Sequence, residues 1–345
     1  AVTLGRQSVH THCVCGGENT NQGHTAHSDV TFLPWTETNS LPTEGNYYLT
    51  RNVTLSESGR GFHLIDANIC LNGYTVTMSN SAYIVAGNYG SDDHKGSLTD
   101  CTDKGSMTGG LISITYSGTV NLYGGTLNDI HVSLTQSGGT FNMYGGKITG
   151  NKTTVAAVDG QNSNKISINM YGGEISGNQN TATVGGGGGV YVGQGNQFKM
   201  YGGTITGNSA KNGGGVYIAA AGSTYGNGTF TMSGGTISGN NADEKGGGIY
   251  VNGPFNLSGN AVITGNTVNN SANNVYLPGS RTITIIGEPQ QTIGVTTSAA
   301  PADGKPVPIA VGSNYTLTEA DTSCFIPDAD NAYLVNLNGN TIELA

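Results

Sequence analysis

The densest chemistry in the chain lies between residues 10 and 27, which read His-Thr-His-Cys-Val-Cys-Gly-Gly-Glu-Asn-Thr-Asn-Gln-Gly-His-Thr-Ala-His. His10, His12, Cys13, Cys15, His24 and His27 fall in these eighteen residues, and the rest of the chain holds only three His and three Cys. Tetrahedral zinc takes four nitrogen or sulfur ligands, and Cys-X-Cys, a glycine-bearing turn and His-X-X-His can supply them. The expected set is Cys13, Cys15, His24 and His27, with His10 or His12 able to replace one. The other reading is a free or disulfide-linked cysteine pair in a disordered leader. Cys70 and Cys101 are expected in the core, one coil apart and within possible disulfide range, which leaves Cys324 as the odd cysteine.

Two groups of acids come next. Asp92-Asp93-His94 with Asp100 and Asp103 would suit a calcium site or an acid/base pair; the competing reading is a solvated loop of turn-forming Asp. Asn128-Asp129-Ile130-His131 places a carboxylate two residues from an imidazole, which is either an acid/base constellation or a worn repeat. The candidate catalytic residues are therefore Asp92, Asp93 and Asp129. Glycoside hydrolysis needs two facing carboxyls about 5 to 9.5 Å apart, and the remaining acids are scattered.

The elements that must position these groups are repeats. Asn-Met-Tyr-Gly-Gly-Lys-Ile-Thr-Gly-Asn from Asn142 recurs as Asn-Met-Tyr-Gly-Gly-Glu-Ile-Ser-Gly-Asn from Asn169 and Lys-Met-Tyr-Gly-Gly-Thr-Ile-Thr-Gly-Asn from Lys199. Related copies start at Asn121, Thr231 and Asn256. Their third residues, at 123, 144, 171, 201, 233 and 258, are separated by 21, 27, 30, 32 and 25 residues. A fixed motif with elastic spacing describes constant strands joined by loops of variable length. Gly-Gly-Gly-Val-Tyr-Val ending at Val192 returns out of phase, ending at Ile218 and Val251 and, degenerate, at Leu277. Strands this short must stack coil on coil to bury an apolar face. The period is too short for propeller blades, and the sequence predicts an all-β, right-handed parallel β-helix.

Alternation along each strand points Met143, Met170, Met200 and Met232 inward together with Ile148, Ile175, Ile205 and Ile237. Tyr144, Tyr171 and Tyr201 then point outward, as do Tyr191, Tyr217, Tyr250 and Tyr276. Two tyrosine ladders with rungs about 4.8 Å apart follow. Exposed aromatic faces beside Asn and Thr suit sugar rings, so Tyr144, Tyr171, Tyr201, Tyr191, Tyr217 and Tyr250 are the candidate ligand-binding residues; the rings could equally stack on one another. Asn151, Asn178, Asn208, Asn240 and Asn266 fall at a corner, expected to be left-handed and to form a hydrogen-bonded ladder. Lys147 and Glu174 share an exposed repeat position and are expected to pair at the surface.

Composition narrows the function classes. Glycine makes up 57 of 345 residues and charged residues only 10%, which disfavours helical folds. A net charge of −9 with 13 Lys and Arg offers no footprint for nucleic acid. No apolar run is long enough to span a bilayer. Ala1 is not followed by a charged and then apolar leader, so any export signal is expected to have been removed; Leu41-Pro42-Thr43-Glu44-Gly45 reads as a turn rather than a wall-sorting signal.

The stacked Met-Tyr-Gly-Gly and Gly-Gly-Gly-Val-Tyr-Val motifs, Leu98-Thr99-Asp100-Cys101 ahead of them, and the His-X-His-Cys-X-Cys-Gly-Gly leader resemble β-helix repeat regions of large secreted proteins from Gram-positive gut anaerobes. The resemblance implies an extracellular, cell-surface setting rich in glycans, and carries no catalytic residues with it. The patterns of pectate-lyase-like and polygalacturonase-like β-helix enzymes are missing, and no Gly-His-Gly stretch occurs. The organisation expected is a Cys/His-rich N-terminal cap over residues 1–46, the β-helix over 47–295, and a small C-terminal β cap over 296–345. The leading function is a secreted spacer or adhesin that binds host or dietary glycans. Two others remain open: a carbohydrate-active enzyme, glycosidase or lyase, and a self-associating fibre or tailspike-like element. Zinc is the expected structural metal, because the open end of a β-helix must be covered and a metal-pinned cap would do so.

Overall fold

The computed structural model describes residues 10–14, 29–56, 61–79, 82–87, 94–136, 138–163, 165–302, 304–328 and 333–345. It is a parallel β-helix. Each regular coil contributes one strand to a fifteen-stranded sheet, two short strands to a twenty-stranded sheet, and one to a six-stranded strip. One coil shows the plan: Gln197–Met200, Thr204–Thr206, Ser209–Asn212 and Val216–Ile218. The next repeats it with Thr229–Met232, Thr236–Ser238, Asn241–Lys245 and Ile249–Val251. Pairing is in register between coils, so Met143, Met170, Met200 and Met232 lie one above another.

The core follows the alternation expected from the sequence. The four methionines and Ile148, Ile175, Ile205 and Ile237 are each no more than 1% exposed. Phe198, Phe230 and Phe255 add an internal column, with ring centroids 4.6 and 5.2 Å apart. The triple glycines exist because successive coils touch there backbone to backbone: a Cβ on Gly188 would strike the Gly214 carbonyl, and one on Gly247 the backbone of Thr267.

The corner asparagines form a buried ladder. Each side-chain amide donates to the next Oδ1, at 2.9, 2.8, 3.0 and 2.9 Å from Asn151 through Asn178, Asn208 and Asn240 to Asn266. Asn266 then donates to Asn274 at 3.0 Å, and Asn274 to the Asp328 carboxylate at 2.6 Å. The expected left-handed conformation belongs to the glycine one position earlier, as at Gly177 (φ +65°) and Gly207 (φ +63°), because glycine takes it without strain. At the other end, register places Ile130 where a further Asn would stand, and Asn151 Oδ1 is buried with no partner.

Parallel pairing extends past residues 47–295 at both ends. Leu33–Trp35 pairs with Tyr47–Leu49, and Ile293–Val295 pairs with Phe325–Pro327. Antiparallel strands close the fifteen-stranded sheet: His10–Cys13 against Asp29–Phe32, and the hairpin of Val335–Asn338 and Thr341–Leu344 against Val307–Val311. Among the described residues no helix is long and apolar enough to cross a membrane.

Candidate functional site

The first tyrosine column comprises Tyr123, Tyr144, Tyr171 and Tyr201, with centroids 4.7, 4.8 and 4.9 Å apart and planes within 10° of parallel. The second comprises Tyr191, Tyr217, Tyr250 and Tyr276 at 5.6, 5.0 and 5.5 Å. Within both columns the ring faces are turned to one another, and the Tyr191 hydroxyl donates to Asn162 Oδ1 at 3.2 Å. Burial, and then the neighbouring phenols, push Tyr144 up to about 12; Tyr191 reaches about 12 by burial first, with Tyr217 and Asp159 adding to it. Tyr276, expected outside, is only 8% exposed. The coil above covers it through Thr296, its partner in register, and Lys245 Nζ lies 5.5 Å from its ring centroid.

The first column changes character above Tyr201. The next coils place Ser233 and Ser258 in line with it, one residue beyond the Met200–Met232 and Met232–Leu257 pairs; beyond Leu257–Ile285 the register shifts, and Gly287 comes against Ser258. Tyr201 is 47% exposed. Tyr201, half exposed and with serine rather than tyrosine in the next coil, thus opens onto a shelf of two serine positions, about two rungs or 10 Å long. Sequence reasoning had the signal for this shelf, since Ser replaces Tyr in the motifs from Thr231 and Asn256, but weighed the tyrosines alone.

Asp129 and His131 line one cleft of about 390 Å³ with Tyr83, Leu111 and Thr153. Register matches Asp129 to Gly150, and at φ +53° it occupies the left-handed corner that glycine holds in later coils. Burial lowers the His131 pKa, against the opposing effect of Asp129. Asp92 and Asp93 lie outside the described residues. Asp100, from the same sequence cluster, is 4% exposed and accepts from Gly73 N at 2.8 Å and Gly105 N at 2.7 Å. That carboxylate holds two turns together and faces into the fold.

Asp159, which the sequence reading passed over, sits in register below Tyr191 at the foot of the second column. It is 5% exposed and lines a cleft of about 190 Å³ with Tyr191 and Asn180. Burial pushes its carboxyl up to about 6, although a hydrogen bond with Gln161 works the other way.

Of the expected metal ligands, Cys15, His24 and His27 and the Cys13 side chain lie outside the described residues. The structure brings together a different set of donors: His10, His12, Cys70 and Cys101, whose ligand atoms all lie within 4.8 Å of one another. His10 and His12 alternate onto one face of the strand His10–Cys13. Their Nε2 atoms are 3.1 Å apart. The Cys70 and Cys101 sulfurs are 3.4 Å apart, and His10 Nε2 is 3.5 Å from Cys101 Sγ. Cys70 ends the strand Asp66–Cys70, and Cys101 follows the paired strand Lys95–Thr99 one coil on. Cys70 is buried as expected, whereas Cys101 is exposed, because the chain turns outward after Asp100. Burial pushes the Cys70 thiol up to about 12.

Compared with known proteins, the chain matches no family model, no curated protein and no solved structure.

Proposed function

We propose that the chain is a rigid extracellular β-helix module, a spacer or adhesin, that binds glycans on the side of the solenoid beside Tyr201. The observation that carries this reading is the break in the tyrosine column. Tyr144 and Tyr171 are stacked on both faces, whereas Tyr201 has a ring on one side only and the serine positions 233 and 258 on the other. A sugar ring offers an apolar face to stack and hydroxyls to pair, which is what a ring above a serine shelf accommodates. The twelve parallel strands from Asp29–Trp35 to Val307–Gly312, stacked in one sheet, make a rod roughly 50 Å long, the length a spacer needs. Antiparallel closure of the described ends disfavours open-ended fibre growth.

A glycan array on the intact protein tests the reading, followed by incubation of the same glycans and mass spectrometry for cleavage. Binding without product is expected. Tyr201→Ala should weaken binding at least tenfold, while Tyr144→Ala, inside the covered stack, should leave it within about twofold; equal losses would sink the assignment of the shelf. A second reading is favoured by Asp129 and His131 sharing a cleft: a carbohydrate-active enzyme working there. It expects product in the same incubation and loss of turnover in Asp129→Asn.

A further inference from the structure

We propose that His10, His12, Cys70 and Cys101 bind one zinc ion that fastens the N-terminal strand to the first coils of the β-helix. The inference is independent of glycan binding. The four donors come from three segments separated by 31 to 91 residues, so no local motif brings them together; the fold does. Tetrahedral zinc, with bonds of about 2.0–2.1 Å to nitrogen and 2.3 Å to sulfur, spaces its ligand atoms about 3.3 to 3.8 Å apart. Three of the six separations, 3.1, 3.4 and 3.5 Å, match or fall just short of that spacing, and all six lie within 4.8 Å, so small side-chain shifts would close the tetrahedron.

The surroundings hold the imidazoles in place. His10 stacks on Tyr48 at 4.3 Å with planes 18° apart, and His12 on Phe32 at 4.3 Å and 25°. Phe32 is only 2% exposed, so its ring is a fixed platform. His10 presents Nε2 to Cys101 Sγ, and His12 turns its own Nε2 toward that of His10, which leaves each Nδ1 for the proton. Two thiolates balance the charge of a divalent ion, so the partly buried site is neutral once filled. Two imidazoles with two thiolates favour zinc over the oxygen-seeking calcium and magnesium. Four protein ligands close the coordination sphere, which makes the ion structural rather than catalytic. It would cross-link strand His10–Cys13, which among the described residues pairs only with Asp29–Phe32, to the Cys70 and Cys101 corners.

The test is metal analysis of the full chain purified without chelator, with cobalt(II) replacement as a spectroscopic readout. The expected result is one zinc per chain, and for the cobalt form a thiolate-to-cobalt charge-transfer band with intense tetrahedral d–d bands. Cys101→Ser and His10→Gln should each lose the ion and that signature while keeping the β circular dichroism spectrum. Cys13→Ser/Cys15→Ser and His24→Gln/His27→Gln should retain both. Chelation of the wild-type chain should lower its thermal midpoint and leave that of Cys101→Ser unchanged. Three results would overturn the proposal: a chain isolated from zinc-containing medium without metal, a Cys70–Cys101 disulfide in non-reduced peptide maps of that chain, or zinc lost through the Cys13/Cys15 substitutions and kept by Cys101→Ser.

Discussion

The middle coils, from Thr140 to Leu277, and the first coils, up to Thr135, use polar side chains in different ways. In the middle, repetition places like beside like, and the repeated polar groups find partners one coil away: Asn on Asn, Tyr on Tyr, Lys147 on Glu174 at 2.9 Å. The first coils carry the motif only in the copy from Asn121, and there unlike groups meet as well as like ones. His10 lies against Cys101, and Asp129 shares a cleft with His131. Periodicity pairs most of the repeated polar groups from coil to coil, with Asn151 Oδ1 at the foot of the ladder and Asn212 Oδ1 as buried exceptions. Chemistry is to be sought where the period fails, and the replacement of Tyr by Ser at 233 is such a failure inside the regular part.

Breaking the regular region at its centre should have the largest effect. Asn208 accepts from both the backbone N–H and the side-chain amide of Asn178, at 3.1 and 2.8 Å, and donates to Ile175 O and Asn240 Oδ1. Asn208→Ala strands several polar groups in a place that is 1% exposed, at a cost of about 3–5 kcal/mol. Asn142 belongs to a parallel outer row, donating to Asn121 at 2.9 Å while half-buried, and water can replace that partner. Asn142→Ala should cost less than about 1 kcal/mol. Hydrogen-exchange protection of the coils flanking each site reads both numbers; comparable losses would mean that burial of the ladder is not what stabilises it.

Asp159 marks the boundary between the two regions, and its substitution should act in the opposite direction. Its folded pKa of about 6 lies above the ordinary carboxylate value of 3.8 because burial disfavours the charged form. The folded chain therefore binds more protons than the unfolded chain between those values. The stability this group contributes is fully present below about pH 4 and is lost as pH rises through about 6. Asp159→Asn should raise stability at pH 7 by on the order of 2 kcal/mol and flatten the slope between pH 4 and 6. Denaturant midpoints of both proteins across that range provide the check, and an unchanged slope would remove Asp159 as its source.

How much of this was legible in sequence tracks the same division. Met143 to Met232, the isoleucines and the tyrosine columns could be read because a motif repeats and side chains alternate. The corner ladder could be read too, although its left-handed residue is glycine rather than asparagine. The outer row of Asn121, Asn142 and Asn169 was missed, since Asn at the head of a motif looks like a mere strand start. The donor set was half visible. His10 and His12 stood out, but local density drew attention to Cys13, Cys15, His24 and His27, whereas Cys70 and Cys101 lie in coils without a motif. That Cys70 and Cys101 lie one coil apart was legible, but only the fold shows that the histidine strand lands beside them.

The smallest expected effect tests whether the regular surface is as inert as its repetition suggests. Lys147 and Glu174 are directly in register and in contact, yet their side chains are 42% and 40% exposed. The Glu174 carboxyl is held below its usual range first by the Ser176 hydroxyl and only then by Lys147. Solvent screens such a pair, and two long side chains lose freedom in making it. A double-mutant cycle of Lys147→Ala and Glu174→Ala should give a coupling below about 0.5 kcal/mol that fades in high salt. A coupling several times larger would place stabilising electrostatics on the repeat surface itself. The contrast between a self-satisfied middle and a chemically active start would then hold for buried groups alone.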